Sequence, residues 1–361
     1  YSPTTKTVRS IPIVLVPPWV NKYYILDLSD QKSLARYLVS NGFTVFAISW
    51  RNPTAAMRDI SFADYVFRGA LKAVDVAKHI SGSSEIHAVG HCIGGTCLAT
   101  LMAWLNKELG TGAACPVAHW TLLATLVDFS DPGELGVYIR GDTIETVEEL
   151  TKRDGYLDGK YVELAFRSLR ADELIWRYFA RNYLLGERPL RHDILFWNSD
   201  TTRLPQSMCS FYLRELYLEN KLVEPNRLVM GRQPIDLGCI AQPLYAVGAV
   251  QDHIAPWRGT FRTCELVAGR VRYVLASEGH VAGIVNPPSL RSGKQHWVGD
   301  VKAGDDAERW ISDRPAHRGS WWVDWVSWLS DLCGPLVESP TMGCDTYPPL
   351  DEAPGLYVME R

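Results

Sequence analysis

The stretch Glu85-Ile86-His87-Ala88-Val89-Gly90-His91-Cys92-Ile93-Gly94-Gly95-Thr96 constrains this chain more than any other. A short apolar strand runs into a G-x-C-x-G turn and then into a run with helical character, the layout of a nucleophile elbow with cysteine as the nucleophile. The flanking glycines have a steric cause: a Cβ at Gly90 or Gly94 would crowd the neighbouring strand or the incoming helix. Ile93 offers its backbone N–H at the helix N-terminus, where unpaired donors and the helix dipole favour a thiolate or an oxyanion. On the motif alone, a buried cysteine in a tight turn is as good a reading. The rest of the chain decides against it.

Upstream, residues 11–16 read as a strand, followed by Pro17-Pro18-Trp19-Val20-Asn21-Lys22. Such an architecture places there the loop that supplies a second oxyanion-hole N–H, from Trp19 or Val20 beside that of Ile93. Asp30 is placed to cap a helix reaching about Asn41 and closed by Gly42, and residues 43–49 are an apolar strand of the buried parallel kind. Ser61 and Asp64 resemble a capping box, behind which Phe62, Val66, Ala70, Val74, Ala77 and Ile80 recur at helical spacing up to Gly82. A helix over Ile93–Leu109 and a strand over 119–126 complete a βα alternation, which implies a mostly parallel sheet with helices on both faces.

Residues 128–241 change to amphipathic, aromatic-rich segments and are expected to form an inserted cap, or lid, between core parts 1–127 and 242–361. Strands resume at 243–248 and at Val271–Ala276, and each runs into a candidate catalytic residue. Gln251-Asp252-His253-Ile254-Ala255-Pro256-Trp257 follows the first, and Ser277-Glu278-Gly279-His280-Val281-Ala282-Gly283 the second. The order Cys92, Asp252, His280, with both partners just past strand C-termini, is that of the α/β-hydrolase fold. A thiol with a reference pKa of about 8.5 is mostly protonated at neutral pH, so Cys92 needs a base, and His280 is the natural one. His91, His253 and His296 are rival histidines; the side chain of His91 is expected to point away from the elbow in a structural role. Because a thiolate also leaves well, cysteine suits exchange between thioesters better than it suits hydrolysis.

Bulk properties narrow the classes further. A chain of 361 residues with 47% hydrophobic and 22% charged residues and a net charge of −4 is an ordinary globular protein with no electrostatic footprint for nucleic acid. No apolar run approaches the roughly 20 residues of a membrane span, and no signal peptide opens the chain, so a cytoplasmic protein is expected. Eight cysteines without C-x-x-C or paired-histidine spacing argue against a metal site and against a disulfide framework. The first strand follows Tyr1 so closely that an upstream domain is expected to be missing, and the tail after Cys333 reads as loop.

With these residues in view, the sequence resembles the catalytic domain of the polyhydroxyalkanoate synthases, nearest to the single-polypeptide class that uses short 3-hydroxyacyl chains. The resemblance rests on Val16-Pro17-Pro18 with Asn21-Lys22-Tyr23-Tyr24-Ile25-Leu26-Asp27-Leu28, Ser49-Trp50-Arg51-Asn52-Pro53, the elbow, Leu195-Phe196-Trp197-Asn198, the Asp252 and His280 segments, and Gly319-Ser320-Trp321-Trp322. It implies polymerisation of (R)-3-hydroxyacyl-CoA through acyl-Cys92 thioesters with release of coenzyme A. The thioester is then substrate, and no resident cofactor is implied. It assigns Cys92, Asp252 and His280 as the catalytic three, with Asp252 assisting deprotonation of the substrate 3-hydroxyl, and Arg170, His253 and Trp197 as residues that bind the acyl-CoA. A homodimer formed through the cap and attachment to polymer granules are also implied. Two rivals stand beside it: a cysteine-dependent polyester depolymerase or thioesterase on the same fold, and a granule-coating scaffold binding through Trp321, Trp322, Trp325 and Trp328. Those four tryptophans sit at helical offsets and are expected to be core.

Overall fold

A computed structural model describes all residues except 111, 170, 172–174, 178, 189–191, 290, 291, 303 and 361. Its central sheet contains β1 (Ile13–Val16), β2 (Val45–Ala47), β3 (Ile86–His91), β4 (Val117–Leu123), β5 (Leu244–Ala249), β6 (Val271–Ala276), β7 (Gln295–Asp300) and β8 (His317–Arg318). The spatial order is β8-β7-β6-β5-β4-β3-β1-β2. Strands β1 to β6 pair in parallel, and β7 and β8 add an antiparallel edge. β3 and β5 are buried at every position, as strands covered on both faces must be. The chain reverses direction across the sheet between β1 and β3. The crevice above their C-terminal ends is therefore the place where this topology binds ligands.

One face packs the helix Ile93–Leu109 and the run that begins at Phe62; the other packs Leu34–Ser40 and Trp322–Leu332. Ser61 and Asp64 do form a capping box, the helix widens by one turn over Tyr65–Leu71, and Gly82 ends it at φ 68°. Trp321, Trp322 and Trp325 are buried in the second face and Trp328 packs against it, so these tryptophans are core and not a coating surface.

Two expectations are corrected, and one pair of strands went unread. The helix at Leu34–Ser40 is capped by Ser33, whose hydroxyl oxygen accepts the Arg36 N–H, while Asp30 stays exposed on an ion pair with Arg36. Part of the tail, Leu336–Glu338, is a strand pairing antiparallel with Thr7–Arg9. β7 and β8 lacked a sequence signal because their partly exposed residues alternate weakly.

Between β4 and β5 the chain divides into two parts. Residues from Leu204 to Ile240 contribute Met208, Leu216, Leu228 and Ile235 to the same apolar cluster as the sheet face. By contrast Leu164, Trp176, Tyr183, Leu184 and Leu185 are exposed.

Candidate active site

Cys92 stands between β3 and the helix Ile93–Leu109 at φ 53° and ψ −126°, a conformation that residues other than glycine rarely adopt. The glycines make this turn possible. A Cβ on Gly90 would land on the Gly95 backbone, and one on Gly94 would strike the carbonyls of Val16 and Pro17. The loop after β1 is thereby laid against the first turn of the helix Ile93–Leu109. Thr125 Oγ1 donates to the Cys92 carbonyl at 3.3 Å, and the Cys92 N–H donates to Leu123 O at 2.9 Å.

Asp252 and His280 reach the elbow from the ends of β5 and β6. His280 Nδ1 donates to Asp252 Oδ2 at 2.7 Å, and Asp252 Oδ1 accepts the N–H groups of Ile254 at 2.9 Å and Ala255 at 2.8 Å. With its side chain 0% exposed and both oxygens engaged, the carboxylate is fixed in its turn. Burial works against a charged His280. The Asp252 carboxylate and the Cys92 sulfur, each through charge and a hydrogen bond, outweigh it and push the imidazole pKa well above its usual range. A proton is thereby held readily on the imidazole beside the Cys92 sulfur.

These groups open on a cavity of about 700 Å³ with a mixed lining: Pro18, Val20, Phe166 and Val281 are apolar, while Asn21, His253 and Gln251 are polar. Trp197 also lines it, with its indole N–H donated to Lys22 O at 2.7 Å, so it is a fixed wall. Asn21 Nδ2 donates to the carbonyls of Trp197 at 3.2 Å and Asn198 at 3.1 Å, which ties the loop after β1 to the inserted segment. The Trp19 ring is buried away from the cavity, stacked on Tyr65 with centroids 4.3 Å apart. Any oxyanion role left to Trp19 belongs to its backbone. Arg170 lies outside the described residues. His296 is remote from the elbow; its Nδ1 meets Gly319 O at 3.2 Å.

His91 departs from expectation. Its ring does not turn away from the elbow's partners but lies on the His280 ring, with centroids 5.9 Å apart and planes at 26°. Strand alternation alone placed it opposite Cys92, without anticipating that the loop carrying His280 returns over that face.

Among the described residues no group of three or more His, Cys, Asp or Glu could hold a metal ion, and no helix is long and apolar enough to cross a membrane. All eight cysteines are free thiols.

Comparison with known proteins identifies the family. Residues 1–38 match a model of the poly-beta-hydroxybutyrate polymerase N-terminus. Poly(3-hydroxyalkanoate) polymerase subunit PhaC of Cupriavidus necator is 39% identical over 368 aligned positions, covering 100% of this chain and 61% of its own. The polymerase of Methylorubrum extorquens is 40% identical, covering 99% of this chain and 58% of its own. This chain belongs to the poly(3-hydroxyalkanoate) polymerase family. Polymerase 1 of Ectopseudomonas oleovorans, at 36% identity, is matched over 63% of its length, so this family member spans about three-fifths of its curated relatives. Among solved structures, the Paleococcus ferrophilus monoacylglycerol lipase covers 90% of this chain and 96% of its own at 13% identity and a TM-score of 0.46. The α/β-hydrolase assignment rests on the strand order and the elbow themselves.

Proposed function

We propose that this chain is the catalytic unit of a polymerase that takes (R)-3-hydroxyacyl-CoA, with 3-hydroxybutyryl-CoA as the expected substrate, extends a polyester and releases coenzyme A. The observation that carries this reading is a thiol at the elbow, facing a histidine held by a buried carboxylate, in a chain aligned end to end with polymerases. The Cys92 thiolate attacks the thioester carbonyl, and the backbone N–H groups of Ile93 and Trp19 receive the developing oxyanion. As the carbon–sulfur bond to coenzyme A breaks, the His280 imidazolium gives its proton to the departing thiolate. Acylation removes the negative charge that helped hold that proton, so His280 is left neutral and able to accept the proton of an attacking 3-hydroxyl. That oxygen forms the new ester bond while Cys92 leaves as thiolate, and the pair is restored.

Residues 128–241 act as the cap, and the exposed Leu164, Trp176, Tyr183 and Leu185 support pairing of two copies there and contact with polymer granules in the cytoplasm. Trp197 and His253 line the cavity, which supports the reading that they bind the acyl-CoA. The test is release of coenzyme A from (R)-3-hydroxybutyryl-CoA by the wild type and by Cys92→Ser. The expected result is release with insoluble polymer for the wild type and a loss of both in the variant. Free monomeric acid as the product would establish a thioesterase instead.

A further inference from the structure

His91 sits directly before Cys92 at the end of β3, 1% exposed, and neither of its ring nitrogens meets a hydrogen-bond partner among the described residues. Burial first, and then the neighbouring His280, hold its pKa down at about 3, so the ring is neutral under any working condition. Its polar atoms are thus idle, and what it presents to the catalytic group is the flat face stacked on His280.

That face acts on the one freedom the triad leaves open. His280 is held in its own plane on two sides, by Asp252 at Nδ1 and by Cys92 across the ring. Two in-plane hydrogen bonds fix where an imidazole sits but not its tilt about the line joining them. A tilt bends both bonds away from linearity and weakens them. We propose that His91 is a positioning residue whose neutral ring, stacked on His280, fixes that tilt and keeps the Cys92–His280–Asp252 hydrogen bonds in one plane. A neutral ring is required, because a second cation against the His280 face would oppose the imidazolium. The inference rests on His280 serving Cys92 as its proton partner.

The test compares His91→Leu with His91→Phe. Both replace the ring by an apolar group and remove two unpaired nitrogens, so both should unfold at urea concentrations no lower than the wild type, but only phenylalanine keeps a flat face. The readout is alkylation of Cys92 by iodoacetamide as a function of pH, which needs no acyl-CoA. His91→Leu is expected to slow alkylation at neutral pH roughly tenfold and to raise its midpoint by about one pH unit, with rescue of most of the rate in His91→Phe. Coenzyme A release should follow the same order through kcat, with KM unchanged. A leucine variant alkylated as fast as the wild type overturns the proposal, and so does a phenylalanine variant as slow as the leucine one, which would assign the role to the ring nitrogens. Expected alkylation without acyl-CoA turnover in the wild type would leave the stack standing and remove the polymerase reading.

Discussion

Lowering the pH should destabilise this protein through two buried histidines outside the candidate site. His87 on β3 and His119 on β4 face each other with Nδ1 atoms 2.6 Å apart. His119 Nε2 meets Leu332 O at 3.2 Å, and a carbonyl only accepts, so that nitrogen carries the proton and the His119 Nδ1 is an acceptor. His87 Nδ1 therefore donates, and its Nε2 accepts from Thr121 Oγ1 at 3.0 Å, while Thr121 in turn accepts from Trp325 Nε1 at 3.0 Å. Every position is filled by two neutral rings, and a further proton would set N–H against N–H. Burial accordingly holds His87 well below the usual histidine range and His119 at about 4. In the unfolded chain both titrate near 6.5, so below that pH the unfolded state binds more protons and stability falls. Between pH 7.5 and 5.5 each ring costs about 1.4 kcal/mol. His91 and His296, both lowered by burial, add to the loss, and His280, whose folded pKa is raised, offsets part of it because the unfolded chain is the state that lacks its proton. The net expectation is a loss of stability as the pH falls. Replacing His119→Gln keeps an acceptor toward His87 and a donor toward Leu332 but removes one titration. Urea unfolding at the two pH values should show a loss smaller by about 1.4 kcal/mol in the variant. Equal losses in variant and wild type would refute the neutral network.

Other outcomes follow from the elbow and the insertion. Gly94→Ala sets a Cβ against the Val16 and Pro17 carbonyls and should cost about 3 kcal/mol in urea unfolding while abolishing acyl transfer; a near-neutral change would mean the loop after β1 yields freely. Cys92→Gly relieves the positive φ and should unfold with about 1 kcal/mol more stability despite being inactive, so a lower thermal midpoint counts against strain at the turn. Limited trypsin should cut first within residues 160–190, where large apolar side chains lie exposed, and sedimentation under turnover should show a dimer; first cuts within 204–240, or a monomer alone, would contradict the division of the insertion or its role in pairing.

What the sequence made legible was local or periodic. Gly90, Cys92 and Gly94 announce a turn whose geometry only glycine spacing permits, and Asp252 and His280 are found because each ends an apolar strand. The pairing of Thr7–Arg9 with Leu336–Glu338 had no such signature, since three-residue strands carry no pattern and their partners lie at opposite ends of the chain. The insertion is hard to subdivide from sequence for a related reason: aromatic-rich amphipathic segments look alike whether they cover a cleft or, like Met208 and Ile235, join the core cluster of the sheet face. His91 escaped because its contact with His280 is made by a loop returning from β6, a tertiary event that alternation along β3 cannot encode.

The role of Asp252 is where geometry and family resemblance part. The resemblance has the carboxylate helping to deprotonate the substrate 3-hydroxyl, so an amide in its place would let Cys92 take one acyl group and then stall. The structure favours a different outcome. Oδ2 is engaged by His280, Oδ1 by the N–H groups of Ile254 and Ala255, and the side chain has no exposed surface for a hydroxyl to reach. In Asp252→Asn the amide oxygen would keep the two backbone donors, which turns the NH₂ toward His280 Nδ1. That donor demands a lone pair, so the ring proton moves to Nε2 and the imidazole can no longer accept one on the Cys92 side. In the proposed cycle acylation and elongation both use that nitrogen, so both should fall together, by about 10³- to 10⁴-fold if the wrong-tautomer penalty of serine triads carries over. Single-turnover trapping of acyl-Cys92 with radiolabelled substrate, followed by a chase with unlabelled acyl-CoA, separates the two steps. A variant that acylates at the wild-type rate and then fails to extend would show that Asp252 reaches the hydroxyl after all, through a movement of its turn that breaks the bonds to Ile254 and Ala255.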